Sequence, residues 1–247
     1  SREAHGNHGH KGQGEGMTLS TKARNFLLLG AIALAAVFVP ASLIKIGAID
    51  AYTAQIFTLA GINAIMAISV NIISGVTGQL SLGQAGFMAI GAYTCIWFSQ
   101  VALLPLPIAV LIGAVFAAFA GFLIGFPTLK LSGDYLAIVT LGFGEILRVI
   151  FVNLKGITGG ANGKRFTTIL AASADIAWIV IIGTLVATII FLQNFLRSTY
   201  GRAILSVRED EIAANSNGIG IFKYKMTGFV VAAFVAGVGG ALWGGGG

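Results

Sequence analysis

Long, almost uninterrupted runs of apolar residues are the feature that most constrains what this chain can fold into. Runs of about 20 such residues indicate helices that cross a lipid bilayer, because a helix needs roughly that length to span the hydrocarbon core. Only 10% of the residues are charged and 56% are apolar, whereas a soluble domain carries about 25% charged residues. The sequence therefore predicts an all-α, polytopic transmembrane helical bundle.

About seven apolar segments can be marked out, and the last one stops part-way through a span, at Trp243 and four glycines. We therefore expect a bundle formed by residues 17–247 that is C-terminally truncated; the alternative is that the last segment completes its span against other protein. Residues 1–16 are polar and glycine-rich, which predicts a disordered leader that need not belong to the mature protein. The approximate limits of the segments are 26–44, 52–74, 80–104, 108–126, 135–154, 176–196 and a seventh from about 226.

The basic residues lie mainly between the apolar runs, where they mark cytoplasmic loops. The formal net charge of +6 is therefore interpreted as topology, not as a nucleic-acid surface. Lys22 and Arg24 predict a cytoplasmic N-terminus, and seven crossings, including one by 80–104, place most other basic groups on the same side. These groups are Lys130, Arg197, Arg202, Arg208, Lys223 and Lys225, whereas Lys155, Lys164 and Arg165 would lie outside.

The chain has few residues suited to catalysis or to metal binding. The three histidines, His5, His8 and His10, all fall in the leader, where a disordered segment is favoured over a weak metal site. The one cysteine, Cys95, lies in an apolar run and is expected to pack there. No nucleophile–base constellation, metal-ligand cluster or phosphate-binding loop is present. We expect neither an enzyme nor a bound cofactor.

The polar stretch 197–225 carries the most specific functional signal. Apolar residues lie among charged ones in its first half, and Glu211 to Ala214 predict a short helix because alanine favours that conformation. Gly218, preceded by Asn217, predicts a left-handed stop. A compact helix on the cytoplasmic side would suit docking to a soluble partner. An ordinary charged connecting loop is the alternative.

Three blocks of sequence resemble ABC importer permeases. Glu211-x-Ala213-Ala214-x-x-x-Gly218 is similar to their cytoplasmic docking loop, with the glutamate one residue further from the alanine pair. GQLSLGQAGFMAIGAY (78–93) and GDYLAIVTLGFGEILR (133–148), with TGGANG (158–163), resemble the branched-chain amino acid transport family. The second block is similar to its LivM-like subunits. The resemblance covers roughly residues 71–243.

The resemblance implies a permease subunit that forms part of a translocation path for branched-chain, hydrophobic amino acids. It implies a bacterial plasma (inner) membrane, a second permease subunit, two ATP-binding subunits that hold ATP and Mg, and an external substrate-binding protein. ATPase docking would fall on Glu211, Ala213, Ala214 and Gly218. An ion-coupled secondary transporter and an ABC permease for urea or short amides are the alternatives.

Two polar groups within the apolar segments are candidates for the translocation path, or for bundle packing. Gly78, Gln79, Ser81 and Gln84 combine glycine-rich backbone with uncharged polar side chains, which are tolerated at depth only where protein or a water-filled cavity covers them.

The second group is Glu145 and Arg148, which lie three residues apart and share one helix face, so each can partly neutralise the other. A charge near the middle of a span costs about 2.5–3.5 kcal/mol on insertion scales, so the pair should face the bundle interior or a cavity. A structural ion pair is slightly favoured over a role in the path. Thr158, Gly159, Gly160 and Asn162 predict a tight external loop.

Overall fold

The computed structural model describes residues 35, 37–46, 50–100, 102–131, 134–160 and 174–246. Within these residues the chain is helical and contains no strand, which confirms the predicted helical bundle. The predicted leader, residues 1–16, lies outside the described residues. The helices are α1 (Val37–Ile46), α2 (Ala51–Val70, continued by a π-helical turn, Asn71–Val76), α3 (Gln84–Gln100), α4 (Leu106–Thr128), α5 (Asp134–Asn153), α6 (Lys155–Thr158), α7 (Ala174–Arg197), α8 (Thr199–Glu209), α9 (Glu211–Ser216) and α10 (Ile221–Gly246).

Five of these helices are long and apolar enough to cross a membrane. They are α4, α5, α7, α10 and α2 together with its π-helical turn. The described part of α1 is shorter than a span, and so is α3. The 17 residues of α3 extend about 25 Å, against roughly 30 Å for the hydrocarbon core. The count of seven crossings therefore stays a prediction.

The third apolar segment begins with non-helical backbone. We expected it to start at Leu80, but the helix starts at Gln84 and residues 77–83 are irregular. Gly78 has φ +67°, in the left-handed region that glycine favours. A Cβ on Gly83 would lie 2.9 Å from the carbonyl oxygen of Thr140. Close backbone approach to α5 therefore explains why this segment is glycine-rich.

Helix α10 is the centre of the bundle. Of the residues in its most apolar stretch 72% are buried, against 17% for α5. Glycines allow its neighbours to approach closely: a Cβ on Gly240 would lie 1.9 Å from the carbonyl oxygen of Met88 in α3, and one on Gly237 would lie 2.9 Å from the Cα of Ala114 in α4. Helices α3, α4 and α10 therefore form one tightly packed unit.

Helix α10 begins earlier than the sequence indicated. We predicted a start near Met226, but the first helical residue is Ile221. Lys223 and Lys225 therefore belong to the first turns of the helix rather than to a connecting loop. Apolar content alone does not mark a polar helical turn that extends beyond the buried part of a span.

Basic residues that were expected on one side of the membrane do lie at one end of the bundle. The ammonium of Lys130, which follows α4, lies 5.2 Å from the ring centroid of Phe126. That ring contacts Phe222 at the start of α10, with centroids 5.9 Å apart. Helices α8 and α9 precede this point in the chain. The predicted cytoplasmic groups that the structure describes thus share an end, whereas Lys22 and Arg24 lie outside the described residues. The orientation in the bilayer stays a prediction.

Candidate functional site: a capped surface helix, a polar turn and a charged groove

The stretch predicted as a long polar loop, 197–225, is mostly helical. Arg197 ends α7, and Ser198 caps α8, its hydroxyl accepting a hydrogen bond from the N–H of Gly201 at 3.2 Å. One face of α8 is buried through Gly201, Ile204 and Val207, while its charged residues are exposed. The amphipathic pattern of the sequence is therefore the pattern of a helix that lies against the end of the bundle.

Helix α9 begins and ends as the sequence predicted. It starts at Glu211, and the carboxylate of Asp210 accepts hydrogen bonds from the N–H groups of Ile212 (2.8 Å) and Ala213 (3.0 Å). The helix ends at Ser216, and Gly218 has φ +77°. The predicted short helix and left-handed stop are confirmed. Asp210 is the residue that sequence reasoning missed, although an aspartate before a helical stretch is a recognised capping signal.

The outward surface of α9 combines a paired charge with an exposed apolar residue. The carboxylate of Glu211 forms an ion pair with the ammonium of Lys225 in α10, which ties the two helices together. Ile212 is 81% exposed, whereas Ala214 is 4% exposed and packs inward. Of the four predicted docking residues, Glu211, Ala213 and Gly218 are exposed and Ala214 is buried.

We expect the Asp210→Ala variant to loosen α9 without unfolding the bundle. Losing an N-cap carboxylate costs about 1 kcal/mol, which corresponds to roughly fivefold faster amide exchange if opening is local. Hydrogen exchange of a peptide covering 205–220 measures this. Asp210→Asn, which preserves an N-cap acceptor, is the control and should exchange as the wild type does. Equal exchange in all three proteins would contradict the capping role.

The end of the bundle is connected to the irregular segment 77–83 by Arg208 of α8. Its guanidinium donates a hydrogen bond to the carbonyl oxygen of Gly75, in the π-helical turn. A Cβ on Gly78 would lie 3.0 Å from the Cγ of Arg208. Helix α8 therefore contacts the backbone on both sides of Thr77, so a displacement of α8 acts directly on this turn.

Side chains of the irregular segment and of the first residue of α3 form a buried polar cluster. Gln79, Ser81 and Gln84 are 5%, 7% and 5% exposed. The hydroxyl of Ser69 in α2 donates to Oε1 of Gln84 at 2.9 Å and lies 2.8 Å from the carbonyl oxygen of Ala232 in α10. The amide of Gln79, Oγ of Ser81 and Nε2 of Gln84 have no hydrogen-bond partner within the described chain. Buried polar atoms without partners are costly, and here they concentrate in one turn.

Helix α5 contacts this turn through Thr140, which the sequence did not single out. Thr140 is fully buried, and its hydroxyl accepts a hydrogen bond from the N–H of Leu82 at 3.1 Å. A lone threonine in an apolar run usually bonds to its own helix, and Thr140 also does so, to the carbonyl of Leu136 at 2.9 Å. The hydrogen bond between Thr140 and Leu82 could not be inferred from the sequence.

Glu145 and Arg148 form the ion pair that their spacing predicted. The distance from Nε of Arg148 to Oε2 of Glu145 is 2.8 Å. The pair was expected to face the bundle interior or a cavity. It lies on an open groove of about 280 Å³ between α3 and α5. The side chain of Arg148 is 68% exposed and that of Glu145 is 57% exposed. Of the residues predicted for the translocation path or bundle packing, Glu145 and Arg148 line this groove. Gly78, Gln79, Ser81 and Gln84 do not.

The predicted external loop is a tight turn where it is described. The hydroxyl of Thr158 donates to the carbonyl of Phe151 at 2.6 Å and accepts from the N–H of Gly160 at 3.2 Å. Gly159 and Gly160 have φ +79° and +69°. Asn162 lies outside the described residues. Among the residues that the structure describes, no group of His, Cys, Asp and Glu is arranged to hold a metal ion.

Comparison with known proteins assigns the chain to a family. A family model described as "Branched-chain amino acid transport system / permease component" matches residues 52–244. The chain belongs to this family. It is 36% identical over 220 residues to the high-affinity branched-chain amino acid transport system permease protein LivM of Escherichia coli (strain K12), covering 77% of this chain and 52% of that protein.

Two further relatives carry the same subunit name. The LivM protein of Salmonella typhimurium is 35% identical over 218 residues, covering 76% of this chain and 51% of the relative. A probable LivM protein of Methanocaldococcus jannaschii is 26% identical over 143 residues, covering 54% and 41%. The chain thus spans about half the length of the curated relatives that it matches. No solved structure matches it.

The resemblance identified from three sequence blocks is therefore confirmed at the level of the family. The matched range includes the polar turn, the groove between α3 and α5, and α8 to α10. The chain is a multi-pass membrane protein, and its relatives are permease subunits, not enzymes. The roles of the individual residues stay predictions, and their geometry supplies the basis for testing them.

Proposed function

We propose that this chain is part of the membrane-spanning permease subunit of an ATP-driven importer for branched-chain amino acids. It would lie in a bacterial plasma (inner) membrane with its N-terminus in the cytoplasm. Separate subunits would bind ATP and Mg, a second permease subunit would complete the path, and an external protein would deliver the substrate. The names of the relatives support the cargo class.

The observation that carries the ATPase coupling is the construction of α9. This helix is only six residues long, yet it is capped at its start by Asp210 and tied to α10 by the Glu211–Lys225 ion pair. Such a short helix is marginal without these supports. They hold Ile212 on the outside, 81% exposed, at the end of the bundle where the basic groups gather. An exposed apolar residue on a helix that is held in place in this way is suited to bind a protein partner.

The neighbouring contacts offer a route by which the partner would act on the membrane part. Helix α9 follows α8 directly, and Arg208 of α8 bonds to the backbone of the π-helical turn. Closure of the ATPases would displace α9 and α8 and so move the turn 71–83. That turn carries the buried amide of Gln79 and leads directly into Gln84 at the start of α3, so the unpartnered atoms of both side chains would change environment.

The geometry of Glu145 favours this importer over an ion-coupled transporter. A carboxylate that couples transport to an ion gradient has to exchange its ion during the cycle. Here one carboxylate oxygen is engaged by Arg148 at 2.8 Å. Because Arg148 already balances the charge of Glu145, a coupling cation alone would leave a net positive charge at the pair.

We expect the Ile212→Asp variant of the full-length protein to lose its ATP-binding subunits. Aspartate in the first turn of a helix interacts favourably with the helix dipole, so α9 should still form. The apolar contact would be lost, and we expect about tenfold or more reduction in retained ATPase after co-expression and detergent purification. Glu211→Arg should have a similar effect, because it reverses charge on the same surface.

The matched control is Lys225→Gln, which breaks the ion pair with Glu211 while leaving the outward residues of α9 unchanged. Asp210 still caps α9 in this variant, so the helix should form and the protein should retain most of the ATPase. Retention by Ile212→Asp equal to that of the wild type would contradict docking on α9. A wild-type protein that retains no candidate ATPase would overturn the importer proposal as a whole.

A further inference from the structure

The groove between α3 and α5 follows the direction in which a substrate would cross the membrane. Its lining in α5 extends from Leu141 to Val152, which is about 16 Å along the helix axis. The volume of about 280 Å³ is just below that of typical ligand pockets, which range over about 300–1,000 Å³. The stacked rings of Tyr93 and Phe151, with centroids 4.5 Å apart, border the end nearest Asn153.

Its lining combines one ion pair with an otherwise almost apolar wall. Glu145 and Arg148 are the charged residues of the lining, Tyr93 is the other residue that carries a polar group, and the rest are aliphatic, aromatic or glycine. A second groove of similar volume, about 290 Å³, lies among α4, α7 and α10 and is lined by apolar residues and two threonines. Lipid chains can fill that second groove, but they cannot cover a carboxylate and a guanidinium.

The ion pair keeps most of its binding capacity. Only Nε of Arg148 and Oε2 of Glu145 are bonded to each other. The two Nη atoms of the guanidinium and Oε1 of the carboxylate make no hydrogen bond within the described residues. The pair is more than half exposed although Glu145 is near the middle of a 20-residue span. It therefore presents a positive and a negative group side by side to whatever fills the groove.

We propose that this groove binds a zwitterionic aliphatic amino acid, with Arg148 on its carboxylate and Glu145 on its ammonium. The inference rests on the proposed function and deepens it by assigning the substrate contact. A guanidinium offers paired donors that match a carboxylate, and the ligand's two charges neutralise the two on the protein. The aliphatic side chain would lie against Leu141, Leu147 and Ala89 on either side.

Small residues provide the room that this arrangement requires. Gly144 faces the groove, and a Cβ placed on it would meet nothing within 4 Å. Gly86 on the opposite wall is closer, since its Cβ would lie 2.9 Å from Cδ1 of Leu147. Helix α5 is the least buried of the five candidate spans, so the groove can widen with little loss of packing.

The test is ligand binding to the purified full-length complex with its ATP-binding subunits, in the absence of the external binding protein. Radiolabelled leucine is the probe. Leucinamide, which lacks the carboxylate, and 4-methylvalerate, which lacks the ammonium, are the competitors. We expect the wild type to prefer leucine over both analogues by about tenfold or more. Arg148→Gln should remove the preference over leucinamide, and Glu145→Gln the preference over 4-methylvalerate.

The double variant Glu145→Arg with Arg148→Glu separates binding from structure. It preserves an ion pair at the same spacing but reverses its direction along the groove. We expect it to lose leucine binding by about tenfold or more while retaining the ATPase subunits. If this variant does not assemble, the analogue preferences of the two single variants decide.

Three results would overturn the inference. One is that the variant with the reversed pair binds leucine as well as the wild type does. Another is that Arg148→Gln and Glu145→Gln weaken leucine binding without changing the preference over leucinamide or 4-methylvalerate. Both results would indicate a structural ion pair. The third is a wild-type complex that retains its ATPases but binds no leucine, which leaves the proposed importer standing. A wild type that retains no ATPase is the separate failure of the proposed function.

Discussion

Replacing Gly240 by alanine should strongly destabilise the bundle, even though alanine is the better helix former. A Cβ at this position would lie 1.9 Å from the carbonyl oxygen of Met88 and 2.7 Å from its carbonyl carbon. Backbone atoms cannot rotate away as the end of a side chain can, so α3 and α10 would have to separate. Overpacking typically costs about 1–3 kcal/mol, against a gain in helix propensity of up to about 1 kcal/mol.

The measurement is the thermal stability of the detergent-purified protein, followed by size-exclusion chromatography after heating. The matched control is Gly183→Ala in α7, where a Cβ would meet nothing within 4 Å. We expect that variant to be as stable as the wild type or slightly more so. Equal stability of the Gly240→Ala protein would contradict the close packing of α3 on α10.

Replacing Gly144 by leucine should abolish transport while leaving assembly intact. The new side chain meets no atom at its Cβ and projects into the groove between α3 and α5, so the protein should fold. It would occupy the space that the amino acid side chain is proposed to use. We expect about tenfold or greater loss of leucine uptake by proteoliposomes that contain the full-length transporter and its partner subunits.

Gly142→Leu is the control for this experiment. Gly142 is on the same helix, two residues away, and has the same open surroundings, but it does not line the groove. Its replacement should leave uptake close to that of the wild type, and both variants should retain the ATPase subunits. Similar uptake by the Gly144→Leu protein and the wild type would exclude the groove as part of the path.

Five of the seven predicted spans correspond to helices long enough to cross a membrane, because each of these is a long apolar run. Predicted limits 108–126 and 135–154 compare with observed helices Leu106–Thr128 and Asp134–Asn153. The predicted helix boundaries were wrong in two places. One is at Ile221, where a helix includes polar residues, and the other is at 80–83, where an apolar run is not helical. Both errors arise because hydropathy reports the environment of a residue and not its backbone conformation.

The candidate site was only partly accessible from the sequence. Contacts between near neighbours could be inferred: Glu145 with Arg148, and the helix that starts at Glu211 and precedes Gly218. Contacts between distant segments could not, since nothing in the sequence relates Leu82 to Thr140 or Gly75 to Arg208. These pairs depend on how the helices pack, and packing is decided by many glycine and alanine contacts acting together.

Thr140 determines how α5 can move. Its hydroxyl forms the one side-chain hydrogen bond, within the described residues, that joins α5 to the segment leading into α3. The far half of α5 meets α3 through the stacked rings of Tyr93 and Phe151. A widening that preserves the buried bond must therefore be a rotation with its fulcrum at Thr140, in which displacement grows with distance along the helix. The groove would therefore open widest at its Asn153 end, while the end beside the polar turn stayed shut.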